Sequence, residues 1–98
     1  MVKKTAQVRG VKGVYFHAKW CAPCQVMLEI VQKLKKQGYV IDVWDFDVNK
    51  VQVNRFKVTK LPTFVIVGPR GEIKRWEAFV GEKEILRYLD RKIPEYNI

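Results

Sequence analysis

Two cysteines three positions apart, in Trp20-Cys21-Ala22-Pro23-Cys24, stand where a strand-length apolar run gives way to helical periodicity. They are the only cysteines among 98 residues, so no framework of disulfides staples this chain and hydrophobic burial has to hold it together. The run before them, Gly13-Val14-Tyr15-Phe16-His17, has the length and aromatic content of a buried strand. After Pro23 the period changes. Val26, Met27, Ile30, Val31 and Leu34 share one helical face, and Gly38 supplies a stop. Pro23 is tolerated near the helix start because a first-turn N–H has no intrahelical partner.

Two thiols at this spacing either close a small ring as a disulfide or open to attack another disulfide. The unpaired N–H groups and positive dipole end of a helix N-terminus favour the thiolate of the first. The competing reading is half of a structural zinc site. Such a site takes four protein ligands, and beyond the cysteines the chain offers only His17, on a strand-like segment. The ligand count favours redox chemistry and no metal.

The length fits one domain, residues 1–98, and an apolar share of 48% with three tryptophans argues for a folded chain. The formal charge of +9 is scattered: Lys33, Lys35 and Lys36 follow the polar spacing of a helix, and Lys74 and Arg75 lie in a strand-like stretch. A solvated basic surface accounts for it, and no dedicated nucleic-acid site is expected. The basic N-terminus, Met1 to Arg9, is not followed by the apolar stretch of a secretory signal, and no segment approaches a membrane span. A soluble cytoplasmic protein is the expectation.

Tyr39 to Phe46 reads as a second strand and Asn49 to Phe56 as a short helix, weakly specified because Val51, Val53 and Asn54 are poor helix formers. Thr63 to Val67 is a third strand, Gly68-Pro69-Arg70-Gly71 a turn, and Glu72 to Ala78 a fourth strand completing a hairpin. The final helix, Glu82 to Lys92, carries Ile85, Leu86 and Leu89 on its apolar side, with Pro94 marking its end. Lys3 to Arg9 is a candidate short edge strand. The order is β-α-β-α-β-β-α.

At this point the chain resembles the thioredoxin family over Gly13 to Leu89. Trp20-Cys21-x-Pro23-Cys24 is similar to that family's active-site motif, with Ala22 where Gly is usual. Trp44-Asp45-Phe46-Asp47 is similar to its second-strand end, and Phe56-x-Val58-x-x-Leu61-Pro62-Thr63 to the segment leading into its cis-proline. The resemblance implies an α/β fold of thioredoxin-like type. This is a central mixed sheet of four to five strands with helices on both faces, its first family helix missing or very short.

The same resemblance implies a protein-disulfide reductase: a dithiol electron carrier of cell redox homeostasis, monomeric and without cofactor. Cys21 is then the exposed attacking thiolate and Cys24 the buried resolving thiol. Trp20, Ala22, Pro23, Lys60, Leu61 and Pro62 form the substrate-binding surface, with a cis bond between Leu61 and Pro62. The partners implied are a thioredoxin reductase and disulfide-containing client proteins. Lys19 either stabilises the thiolate or is simply solvated.

Two departures stand out. The buried Asp six positions before the first active-site Cys and the Lys before the second-strand pattern are replaced by Tyr15 and Val43, which leaves no obvious proton acceptor for Cys24. Losing both members of a buried charge pair is physically coherent. Only 12 residues precede Gly13, too few for the family's first strand and full helix. The shortened start is glutaredoxin-like, so a glutathione-dependent reductase is one alternative. A non-catalytic binding module on the same scaffold is another. With that helix missing, one sheet face is short of cover, and Trp44 or Trp76 is expected to fold over it unless an apolar patch stays exposed.

Overall fold

A computed structural model describes residues 7–90. The elements follow in the expected order: β1 (Lys12–His17), α1 (Ala22–Lys36), β2 (Ile41–Asp45), α2 (Lys50–Arg55), β3 (Thr63–Gly68), β4 (Gly71–Trp76) and α3 (Glu82–Leu89). The four strands form one mixed sheet in the order β2-β1-β3-β4. β1 runs parallel to β2, with Tyr15 beside Val43 and His17 beside Asp45. β3 is antiparallel to both β1 and β4.

The two faces of the sheet have separate cores. On one, Tyr15, Ile41, Phe64 and Ile66 pack against Met27, Val31 and Leu34 of α1 and Ile85 and Leu89 of α3. On the other, Val14, Phe16 and Val65 meet Val53 of α2 and Val58. Strict alternation along β1 sends Val14 and Phe16 one way and Tyr15 the other, which is why the run is apolar throughout. The second face is closed by half-buried Trp44, Phe46, Phe56 and Leu61, with the Phe16 and Phe56 rings 5.6 Å apart. Trp44 therefore fills the gap as expected. Trp76 does not: it lies on the α3 face, 6.1 Å from Phe64 and 5.4 Å from Tyr88 between ring centroids. Its place as the partner of Phe64 across β3 and β4 commits it to that side.

Several boundaries differ from the expectation for local reasons. Tyr39 stays out of β2 because its N–H closes the end of α1 on the Leu34 carbonyl at 3.1 Å. α3 ends at Leu89, where Asp90 turns extended and its carboxylate accepts the Tyr39 hydroxyl at 2.7 Å. Arg91, Lys92 and Pro94 of the expected helix end lie outside the described residues, as do Met1 to Ala6. The candidate edge strand is thus described only from Gln7. There it makes an isolated antiparallel bridge to Asp90 rather than joining the sheet. α2, poorly specified by its own residues, is held from outside. Val53 is buried, and Arg75 of β4 donates to the Phe56 carbonyl at 2.6 Å at the helix end.

Candidate active site at the Cys21–Cys24 turn

β1 ends at His17, and Ala18 to Trp20 turn the chain into α1. Cys21 is the N-cap residue in extended conformation, and Pro23 sits in the first turn where its missing N–H costs nothing. Cys24 falls one turn further in. The two are joined as a disulfide with Cα atoms 5.2 Å apart. The turn is locked from several directions. The Cys21 N–H donates to the Ala18 carbonyl at 3.2 Å, and the Gln25 side-chain amide donates to the same oxygen at 2.8 Å.

Cys24 is completely buried and Cys21 keeps 6% of its surface. The gradient runs in the expected direction, but Cys21 is far less exposed than the sequence suggested. Ala18, Phe46 and Leu61 gather around the two sulfur-bearing residues and cover it in the oxidised form.

The residues expected around the thiols separate into a rim and a wall. Trp20, Ala22, Pro23 and Lys60 are exposed, Leu61 is half-buried against the cysteine cluster, and Pro62 is buried. The bond between Leu61 and Pro62 is cis. Thr63 at the start of β3 donates its hydroxyl to the Lys60 carbonyl at 2.6 Å, bracing this loop. Lys19 is exposed.

Trp20 is 67% exposed yet is not free to swing, because its indole N–H donates to the Asp47 carboxylate at 2.7 Å. Asp47 is itself set by an Asx-type turn. The Asp45 carboxylate accepts the N–H groups of Asp47 and Val48 at 2.8 and 3.2 Å, and the Asn49 side chain accepts the Asp45 N–H at 2.7 Å. The Phe46 N–H to the His17 carbonyl, 2.8 Å, ties this loop to the end of β1.

Beneath the helix, Tyr15 is buried and its hydroxyl donates to the Cys24 carbonyl at 2.8 Å. Burial pushes its phenol well above the usual range. Tyr15 is thus a donor to the backbone and no acceptor for a thiol proton. Its partner position, Val43, packs into the same core, so an apolar-phenolic pair stands across β1 and β2. His17 lies on the same face of β1. Its ring is stacked nearly parallel on that of Tyr15, 5.8 Å between centroids and 4° between planes, and its Nδ1 is buried without a hydrogen-bond partner among the described residues.

The sequence reading missed Asp47 as the anchor of Trp20, and weighed His17 only as a metal ligand. Alternation along β1 was the available signal for His17, since residues two apart share a face. Among the described residues no group of three or more His, Cys, Asp or Glu is placed to hold a metal ion. A cavity of about 460 Å³ lined by Gln7, Val11, Val40 and Val67 lies at the Lys12 end of β1, away from the thiols. No helix of the described residues is long and apolar enough to cross a membrane.

With this geometry in place, the comparisons with known proteins converge. A protein-family model described as Thioredoxin matches residues 3–91. Thioredoxin Y, chloroplastic, of Oryza sativa subsp. japonica is 32% identical over 80 residues, 79% of this chain and 48% of its own length. Thioredoxin H3 of Arabidopsis thaliana is 30% identical over 78 residues, 78% of this chain and 65% of its own. Among solved structures, thioredoxin 1 of Thermosipho africanus superposes with a TM-score of 0.68 at 28% identity, covering 79% of this chain and 88% of that one. The chain spans about half the length of the rice relative.

Proposed function

The chain belongs to the thioredoxin family, and from that premise we propose that it reduces disulfides in other proteins through a Cys21/Cys24 dithiol–disulfide cycle. The observation that carries this reading is the placement of the pair: Cys21 at the N-cap of α1, Cys24 buried one turn in, and a disulfide between them. First-turn N–H groups aimed at Cys21 stabilise its thiolate, whereas Cys24, inside the helix, has no such advantage.

In the cycle, the Cys21 thiolate attacks a client disulfide. One client sulfur leaves as a thiolate and the other is held in a mixed disulfide. Cys24 then attacks the Cys21 sulfur, the second client sulfur leaves, and the client has gained the two electrons that the protein has lost. Return to the dithiol needs an external reductant, and a thioredoxin reductase is the proposed partner. The exposed rim of Trp20, Ala22, Pro23 and Lys60, with Leu61 and Pro62 behind it, is the proposed client surface. Residues 1–98 acting as one monomeric domain in the cytoplasm complete the proposal, since a reducing compartment keeps such a dithiol open for turnover.

The test is reduction of insulin with dithiothreitol or a thioredoxin reductase as electron source. Wild type should accelerate precipitation of the insulin B chain, and Cys21→Ser should reduce the rate to that of the reductant alone. A Cys21→Ser variant as active as wild type would refute the cycle. Partner capture that survives loss of both cysteines would favour a binding module instead.

A further inference from the structure

The resolving step requires Cys24 to lose a proton, and the paired core positions Tyr15 and Val43 bear no carboxylate to take it. Tyr15 donates its hydroxyl to the Cys24 carbonyl, and Val43 has no titratable group. The geometry points to His17 as the group that takes up the Cys24 proton when the mixed disulfide is resolved; this rests on the dithiol cycle proposed above.

Two observations converge on it. His17 and Tyr15 share the α1 face of β1 with their rings stacked, and Tyr15 reaches the turn that carries Cys24, so the imidazole lies one ring away from that turn. His17 is half-buried while its Nδ1 is sealed off without a partner among the described residues, so the imidazole spans from the interior of the α1 face towards solvent. An orphaned buried ring nitrogen is costly, since it gives up water without gaining a partner. A side chain that merely filled this position would be better served by a hydrocarbon ring, as at Phe16 and Phe64. A nitrogen acting as a proton acceptor has to keep its lone pair free.

The titratable and charged neighbours are few. Tyr15 stacks on His17 from its own strand, and Asp45 stands beside it in register on β2, its carboxylate accepting the N–H groups of Asp47 and Val48. β3 begins at Thr63, opposite Phe16, and brings no titratable group there. Exposed Lys19 lies two residues further along the chain.

The step balances without another reagent. The Cys24 thiol gives its proton to the neutral imidazole, and the resulting thiolate attacks the Cys21 sulfur of the mixed disulfide. A bond forms between Cys24 and Cys21 as that between Cys21 and the client breaks. The client sulfur leaves with the bonding pair and takes a proton back from the imidazolium. A protonated imidazole has no lone pair to offer, so acid should slow resolution.

The experiment mixes reduced protein with 5,5′-dithiobis(2-nitrobenzoate) and follows thionitrobenzoate release in two phases, the attack by Cys21 and the resolution by Cys24. In His17→Asn the second phase should slow about tenfold or more at each pH between about 5 and 8, while the first phase keeps its wild-type rate. A second phase with the wild-type rate and profile would overturn the inference. Absence of a first phase in wild type would sink the dithiol cycle itself. Should the variant fail to fold, wild type still decides: His17 is the chain's one histidine, so its ring resonances are unambiguous. They should differ in position between the reduced and oxidised proteins at one pH, and superimposable spectra would refute coupling to Cys24.

Discussion

The hydroxyl of Tyr15 meets the carbonyl oxygen of Cys24 at 2.8 Å, so a side chain rooted in the middle of β1 holds the helix turn that carries the inner sulfur. The bond is buried, and it ties the sheet to α1 directly beneath the disulfide. Tyr15→Phe keeps the ring and its packing while removing the donor. We expect it to lower stability by about 1 kcal/mol in urea denaturation. An unchanged midpoint would mean that the hydroxyl contributes nothing to anchoring the turn.

Stability should also fall on the alkaline side. Tyr39 is pushed up to about 12 by burial and by its hydrogen bond to Asp90, and burial raises Tyr15 as well, both from an ordinary value of 10.0. The folded chain therefore holds these protons to higher pH than the unfolded chain. Their contribution is fully present below the unfolded value and is lost as pH rises through the folded ones. Denaturation midpoints measured upward from about pH 9 should decline beyond about pH 10, and less steeply in Tyr39→Phe. Equal slopes for variant and wild type would contradict this.

The order of elements could be read from the chain because each signal was local. A short, aromatic-rich apolar run marked β1, the 3.6-residue period after Pro23 marked α1, and Gly68 to Gly71 marked the hairpin. What could not be read was decided by contacts between distant segments. Arg75 closing α2, Asp90 leaving its helix to bridge Gln7, and Trp76 facing α3 all depend on neighbours that no window of sequence contains. The same holds at the site. The cysteines and the Trp20 to Pro23 rim stood out as a motif, whereas Asp47 beside Trp20 required the β2 loop to be laid against the end of β1, and His17 beside Tyr15 was signalled only by residues two apart sharing a strand face.

Asp47 gives that contact a functional test. Its carboxylate fixes the exposed indole of Trp20 over the proposed client surface. Asp47→Ala should release the ring, changing Trp20 fluorescence and lowering kcat/KM for insulin reduction about threefold to tenfold, with stability altered by less than about 0.5 kcal/mol. A matching fall in stability would make Asp47 a structural residue rather than a positioning one.

Gly13 tests the packing behind the site. A Cβ there would come within 2.6 Å of Phe64 Cζ and 3.3 Å of Ile41 Cγ1. Phe64 is fully buried, packed against Tyr15 and Trp76, so its ring has to shift within the core to make way. Gly13→Ala should therefore destabilise by about 1–3 kcal/mol, read as a lowered urea midpoint. Equal or greater stability than wild type would show that the core yields more readily than these contacts allow.

The division of labour between the two thiols is tested most directly by trapping. Cys24→Ser removes the resolving sulfur but leaves the N-cap cysteine in place. Incubated with a disulfide-bonded client such as insulin, this variant should accumulate a mixed disulfide that mass spectrometry maps to Cys21, and Cys21→Ser should accumulate none. Adducts formed through Cys24 in Cys21→Ser, with none formed through Cys21 in Cys24→Ser, would contradict the assignment of Cys21 as the attacking thiol.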